Sequence, residues 1–164
     1  MPILFCDLDN TLIDRAAAYR LRVLLNTVKA ENAQAVTSAL TCLRMFGIDL
    51  PAHPSLEEVR TEYETIWQAL NERPIEGLID LPLMTDAELQ AAMRVLSSLL
   101  TSAYVTDFHL FCLHLCRMVN ISVQHGVCSA SAHCFGWVGT ILGSVPHKLL
   151  HHAKIPVLVV PRPD

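Results

Sequence analysis

Ile3-Leu4-Phe5-Cys6-Asp7-Leu8-Asp9-Asn10-Thr11-Leu12 stands almost at the start of the chain, and its conformation decides what the rest can build. A short apolar run followed by acids and an Asn-Thr pair reads as a buried β-strand that frays into a turn. In extended backbone, residues i and i+2 share a side. Asp7 and Asp9 would then present two carboxylates together. Such a pair suits a hard divalent cation and can offer one carboxylate as a nucleophile to a phosphoryl group.

The 164 residues suffice for one domain with a real core. Hydrophobic residues make up 52% and charged residues 17%, with a mean hydropathy of +0.36. The charged share is below that of an average soluble domain, roughly 25%. A net charge of −4 and a pI near 6.0 give no electrostatic case for nucleic acid or membrane as a partner. The most apolar long window, 103–123, carries Asp107, His109, His114 and Arg117, which argues against a spanning segment. Six cysteines in apolar surroundings suit buried thiols in a reducing compartment, so the expected location is cytoplasmic.

Between the ends, helical signals dominate. Asp14 is a candidate cap for a helix over 15–29, with Leu21, Leu24, Leu25 and Val28 as its apolar stripe. A second helix over 32–46 ends at Gly47. Ser55 and Glu58 form a capping box for a third, whose inward residues are Val59, Tyr63, Ile66, Trp67 and Leu70. Thr85 with Glu88 caps a fourth, running to about residue 100. Residues 106–124 make the most apolar helix, closed by Gly126, and a further helix covers 129–142. A short helix over 146–152 leads to the β-branched run 155–160, a second strand.

These stretches carry three resemblances. Asp7-Leu8-Asp9-Asn10-Thr11 after its apolar run resembles the first motif of the haloacid dehalogenase-like hydrolases. That resemblance implies an aspartyl-phosphate mechanism. Asp7 would be the nucleophile and a Mg²⁺ ligand, Asp9 the general acid/base and second metal residue, and Thr11 would set the turn. The family also uses a lysine and a second acidic pair. The lysines here are Lys29, Lys148 and Lys154, and only Asp164 follows the last two as an acid. From about 43 to 142, Phe46-Gly47-Ile48-Asp49-Leu50-Pro51, Glu62-Tyr63-Glu64-Thr65-Ile66-Trp67 and Leu78-Ile79-Asp80-Leu81-Pro82 resemble a helical segment of large bacterial signalling proteins. Those proteins join a kinase-like domain to a STAND-type ATPase, and the segment implies an interaction or spacer scaffold. From 143 to 164, Gly143-Ser144 and the final apolar run resemble the end of universal stress proteins, which implies a phosphate contact at Ser144.

A resemblance that changes identity twice implies a mosaic sequence, chimeric or artificial in origin. The expected fold is mainly α with two short terminal β-strands, a parallel pair covered by six or seven helices. It forms a single domain over 1–164: strand and Asp-rich turn at 1–14, helical body at 15–142, helix and last strand at 143–164. The leading expectation for function is a non-catalytic helical scaffold or interaction domain with no cofactor. Its apolar helical faces would meet a protein partner or a second copy. The alternatives are a Mg²⁺-dependent phosphohydrolase using Asp7 and Asp9, and nucleotide binding through Ser144. His109, Cys112 and Cys116 share a helix face and His133-Cys134 follow, but the thiols read as buried small hydrophobes. His147, His151 and His152 read as a solvated helix face.

Overall fold

The computed structural model describes residues 6–70, 78 and 80–144. Among them it shows six α-helices: α1 Cys6–Val28, α2 Asn32–Met45, α3 Leu56–Leu70, α4 Ala87–Thr106, α5 Phe108–His125 and α6 Ser131–Ser144. There is no β-strand among the described residues, and the extended pairing seen there is one isolated parallel bridge, Leu83 with Val127. The mainly helical expectation therefore holds. Residues 3–5 and 155–160, the apolar strand segments, and the helix expected over 146–152 lie outside the described residues, as does the pairing of the two strands.

The opening stretch is helical from Cys6 onward, so the backbone through Asp7, Asp9 and Thr11 is part of α1 and not an Asp-rich turn. Two physical reasons favour this outcome. A short apolar run cannot by periodicity alone be told from helix, and acids in a first helical turn sit well against the positive end of the dipole. The periodicity that decides the matter lies further on. Leu12, Ala16, Tyr19, Val23 and Asn26 recur every three or four residues and form the face that α1 turns inward, with Ala16 and Val23 buried.

That face differs from the stripe expected from the sequence. Leu21, Leu24, Leu25 and Val28 point outward and are 69%, 40%, 52% and 85% exposed. The inward face is smaller and more polar, and α1 packs against both α2 and α4, in which Ala35, Ala39 and Ala103 are buried. Thr27 Oγ1 meets Ser102 Oγ at 2.7 Å, and Ser102 donates to Asn32 Oδ1 at 3.2 Å. This polar contact pins the α1–α2 corner to α4.

The same corner ends α1 with Ala30 at φ +60°. Ala30 N–H bonds Thr27 O and Glu31 N–H bonds Asn26 O, the paired closure of a Schellman turn. Helix α2 ends in the same way, with Gly47 at φ +72° and Ile48 N–H on Leu43 O. Here the expected stop signal and the structure agree.

The two central helices are α4 and α5. Helix α4 packs on α1, α2 and α5, and α5 packs on α3, α4 and α6. A single residue, Asp107, joins them. Its N–H closes α4 on Ala103 O, and its carboxylate accepts from His109 N and Leu110 N to start α5. The N-caps of α4 and α5 are Asp86 and Asp107, each one residue beyond the threonine expected to open the helix. A carboxylate is a strong N-cap acceptor, and at both places it follows the threonine. The Ser55–Glu58 box is present: Glu58 N donates to Ser55 Oγ at 3.2 Å and Ser55 N to Glu58 Oε2 at 2.7 Å. One continuous core results, with Leu43, Leu50, Met93, Leu96, Leu99, Phe111, Leu115 and Met118 fully buried within it.

Candidate functional site

Asp7, Asp9 and Thr11 lie on the helical backbone of α1, with their side chains outside the described set, and Ser144 is the last residue of α6. The same-side placement expected for Asp7 and Asp9 is a property of alternate residues in extended backbone. His147, His151 and His152 lie outside the described residues.

Cys42, Cys112, Cys116, Cys128 and Cys134 sit in apolar surroundings, as their neighbours in the sequence suggest. Cys42, Cys116 and Cys134 are buried, while Cys112 and Cys128 are partly so. Burial pushes the thiols of Cys42 and Cys112 up to about 11 and those of Cys116 and Cys134 up to about 12. A thiol becomes a nucleophile or metal ligand as its thiolate, and at neutral pH these four stay protonated. No group of three or more His, Cys, Asp or Glu residues among the described ones is placed to hold a metal ion.

A cleft of about 290 Å³ opens between α3 and α5, lined by Glu62 and Thr65 on one side and by Arg117, Asn120 and Gln124 on the other, with Ile48, Leu89 and Ile121 as its apolar lining. Each oxygen of the Glu62 carboxylate accepts from a protein donor. Arg117 Nη2 donates to Glu62 Oε2 at 2.8 Å, and Asn120 Nδ2 donates to Glu62 Oε1 at 2.6 Å and to the Glu62 carbonyl at 3.0 Å. With a protein donor on each oxygen, Glu62 braces α3 against α5. The volume is also at the lower limit for small-molecule sites, roughly 300 Å³.

His114 is wholly buried in α5, with Nδ1 bonded to Leu110 O at 3.2 Å and Nε2 without a protein partner. Its ring lies 5.7 Å from that of Phe111. Burial lowers its pKa from 6.5 to about 4, against the smaller opposing pull of the Leu110 and Phe111 backbone. It is a neutral core imidazole at physiological pH.

The surface of α1 is different in kind. At roughly 100° per residue, the outward stripe Leu21, Leu24, Leu25 and Val28 lies nearly opposite the inward one. In a heptad register, Ala18 and Leu25 fall at one seam position and Leu21 and Val28 at the other. The adjoining flank carries Arg15, Arg22 and Lys29, seven residues apart and all exposed. Lys29 keeps this register because its N–H still bonds Leu25 O at 3.1 Å. None of the three forms an ion pair with a carboxylate among the described residues. Arg22 lies over the Tyr19 ring at 5.8 Å. The helical period was legible in the sequence. Which of the two faces would turn inward was not, since either has a helical period and the stripe of larger residues lost.

No family model, no curated protein and no solved structure matches the chain. Among the described residues, no helix is long and apolar enough to cross a membrane.

Proposed function

We propose that this chain is a helical interaction domain, a scaffold whose working surface is the outward face of α1 and which carries out no chemistry of its own. One observation carries the reading. Leu21, Leu24, Leu25 and Val28 form a continuous apolar stripe at helical spacing on a helix whose other face is already packed. Single exposed hydrophobes are ordinary; a contiguous row of four is a feature of binding faces. The exposed fractions correspond to about two and a half buried aliphatic side chains. Covering them would contribute ~4–7 kcal/mol at ~1.5–3 kcal/mol per side chain, before the costs of association. An amphipathic helix laid along such a face uses the ordinary geometry of helix-to-helix recognition.

Polar groups elsewhere support a structural role. Both oxygens of Glu62 accept from protein donors, and the thiols of Cys42, Cys112, Cys116 and Cys134 are held protonated. The test is binding of fluorescent amphipathic helical peptides to the wild-type chain and to the Leu21→Ser/Leu25→Ser variant. Both substitutions fall on exposed positions, so the fold should keep its far-UV circular dichroism. Binding that is lost in the variant supports the reading. Hydrolysis of p-nitrophenyl phosphate with Mg²⁺ that disappears in Asp7→Asn would replace it with an enzymatic one.

A further inference from the structure

The row Arg15, Arg22 and Lys29 narrows the identity of the partner, an assignment that rests on the interaction reading of α1. In paired helices, residues flanking the apolar seam decide which partner and which orientation are accepted. Here one flank is purely cationic, although the chain as a whole has a net charge of −4. A second copy does not satisfy it. Antiparallel pairing sets the row against the same row, cation facing cation. Parallel pairing sets it against the flank that carries Leu24. The chain's own C-terminal stretch is no better matched, since 145–164 holds Lys148, Lys154 and Arg162 against Asp164 alone, with three histidines besides.

We infer that the outward face of α1 takes an acidic amphipathic helix of another protein, laid lengthwise, its aliphatic residues on Leu21, Leu25 and Val28 and its carboxylates along Arg15, Arg22 and Lys29. The seam supplies the affinity, and the cationic row selects charge and orientation. Because all three cations are exposed, their share of the binding is screened by salt while the apolar share persists.

The experiment uses the full chain and three designed three-heptad peptides with leucine at the seam positions. Their flanking positions are all Glu, all Gln or all Lys. At low ionic strength the Glu peptide should bind at least tenfold more tightly than the Gln peptide, and the Lys peptide should not bind. The gap should narrow at roughly 0.5 M salt, where the screening length falls below ~5 Å. In the Arg15→Glu/Arg22→Glu/Lys29→Glu variant the preference should invert toward the Lys peptide, which a merely unfolded variant would not show. Leu21→Ser/Leu25→Ser should weaken all binding. Equal affinity for the Glu and Gln peptides overturns the acidic-partner assignment and leaves the docking face standing. Failure of every peptide to bind overturns both. Capture by phosphatidylserine vesicles with no peptide binding, or a concentration-dependent dimer abolished by Leu21→Ser/Leu25→Ser, would reassign the face to membrane or to a second copy.

Discussion

Acidification should destabilise this fold well before its carboxylates titrate, and His114 is the reason. The imidazole is wholly buried, and its pKa is lowered by that burial from 6.5 to about 4. Between those values the unfolded chain takes up a proton that the folded one refuses, so stability rises with pH across the window and is lost on the way down. One pKa unit corresponds to about 1.36 kcal/mol. The loss should reach about 2 kcal/mol by pH 5 and about 3 kcal/mol near pH 4, a large part of a marginal stability. The lowered carboxyls of Glu58 and Asp107 act further toward acid, because their contribution is present above the ordinary carboxyl range and disappears below it. Urea unfolding followed by the fluorescence of Trp67 and Trp137, at intervals from pH 7.5 to pH 5, isolates the imidazole. His114→Leu keeps the apolar volume and should flatten the profile over that range, whatever it does to stability at pH 7.5. A wild-type stability that does not change over the window, or a slope that survives in His114→Leu, would refute the picture of a neutral imidazole sealed beside Phe111.

Gly126 sits at φ +98°, and a Cβ there would lie 2.5 Å from the Pro82 carbonyl oxygen, with Leu83 and Met84 backbone close behind. Gly126→Ala should therefore cost about 2–4 kcal/mol in chemical denaturation, since backbone cannot rotate away as a side chain can. Ala30 holds a left-handed conformation at φ +60° without being glycine, so Ala30→Gly should raise stability by about 0.5–1 kcal/mol, read as a higher Tm. A double-mutant cycle with Arg117→Met and Glu62→Gln should give a coupling of about 1–2 kcal/mol. The two side chains are 33% and 13% exposed, and that partial exposure keeps the value below that of a fully buried pair.

Helix positions were legible where local chemistry fixes them. Gly47 and Gly126 end their helices, Ser55 and Glu58 open one, and α5 announces itself through apolar residues on almost every face. Two features were not legible, and for related reasons. The stretch from Cys6 to Leu12 satisfies both strand and helix patterns over its short length, and the residues that favour helix lie beyond it, at Ala16 to Asn26. In α1 the larger side chains form the conspicuous stripe, yet burial went to the face with Ala16 and Val23, on a helix packed against both α2 and α4. Hydrophobicity ranks faces by size of side chain; close packing among several neighbours ranks them by fit. The candidate surface is the remainder of that choice. The sequence therefore contained this exposed face but labelled it as core.

The bridge between Leu83 and Val127 has a kinetic consequence. Val127 N–H bonds Pro82 O and Met84 N–H bonds Val127 O, each at 2.8 Å, so the connector entering α4 is laced to the connector leaving α5. Neither can peel away alone without orphaning the other's amides. Under native conditions the amides of Met84 and Val127 should exchange with solvent deuterium at a common rate, though they belong to different loops. A common rate would mark that end of the bundle as a clasp that opens as one event.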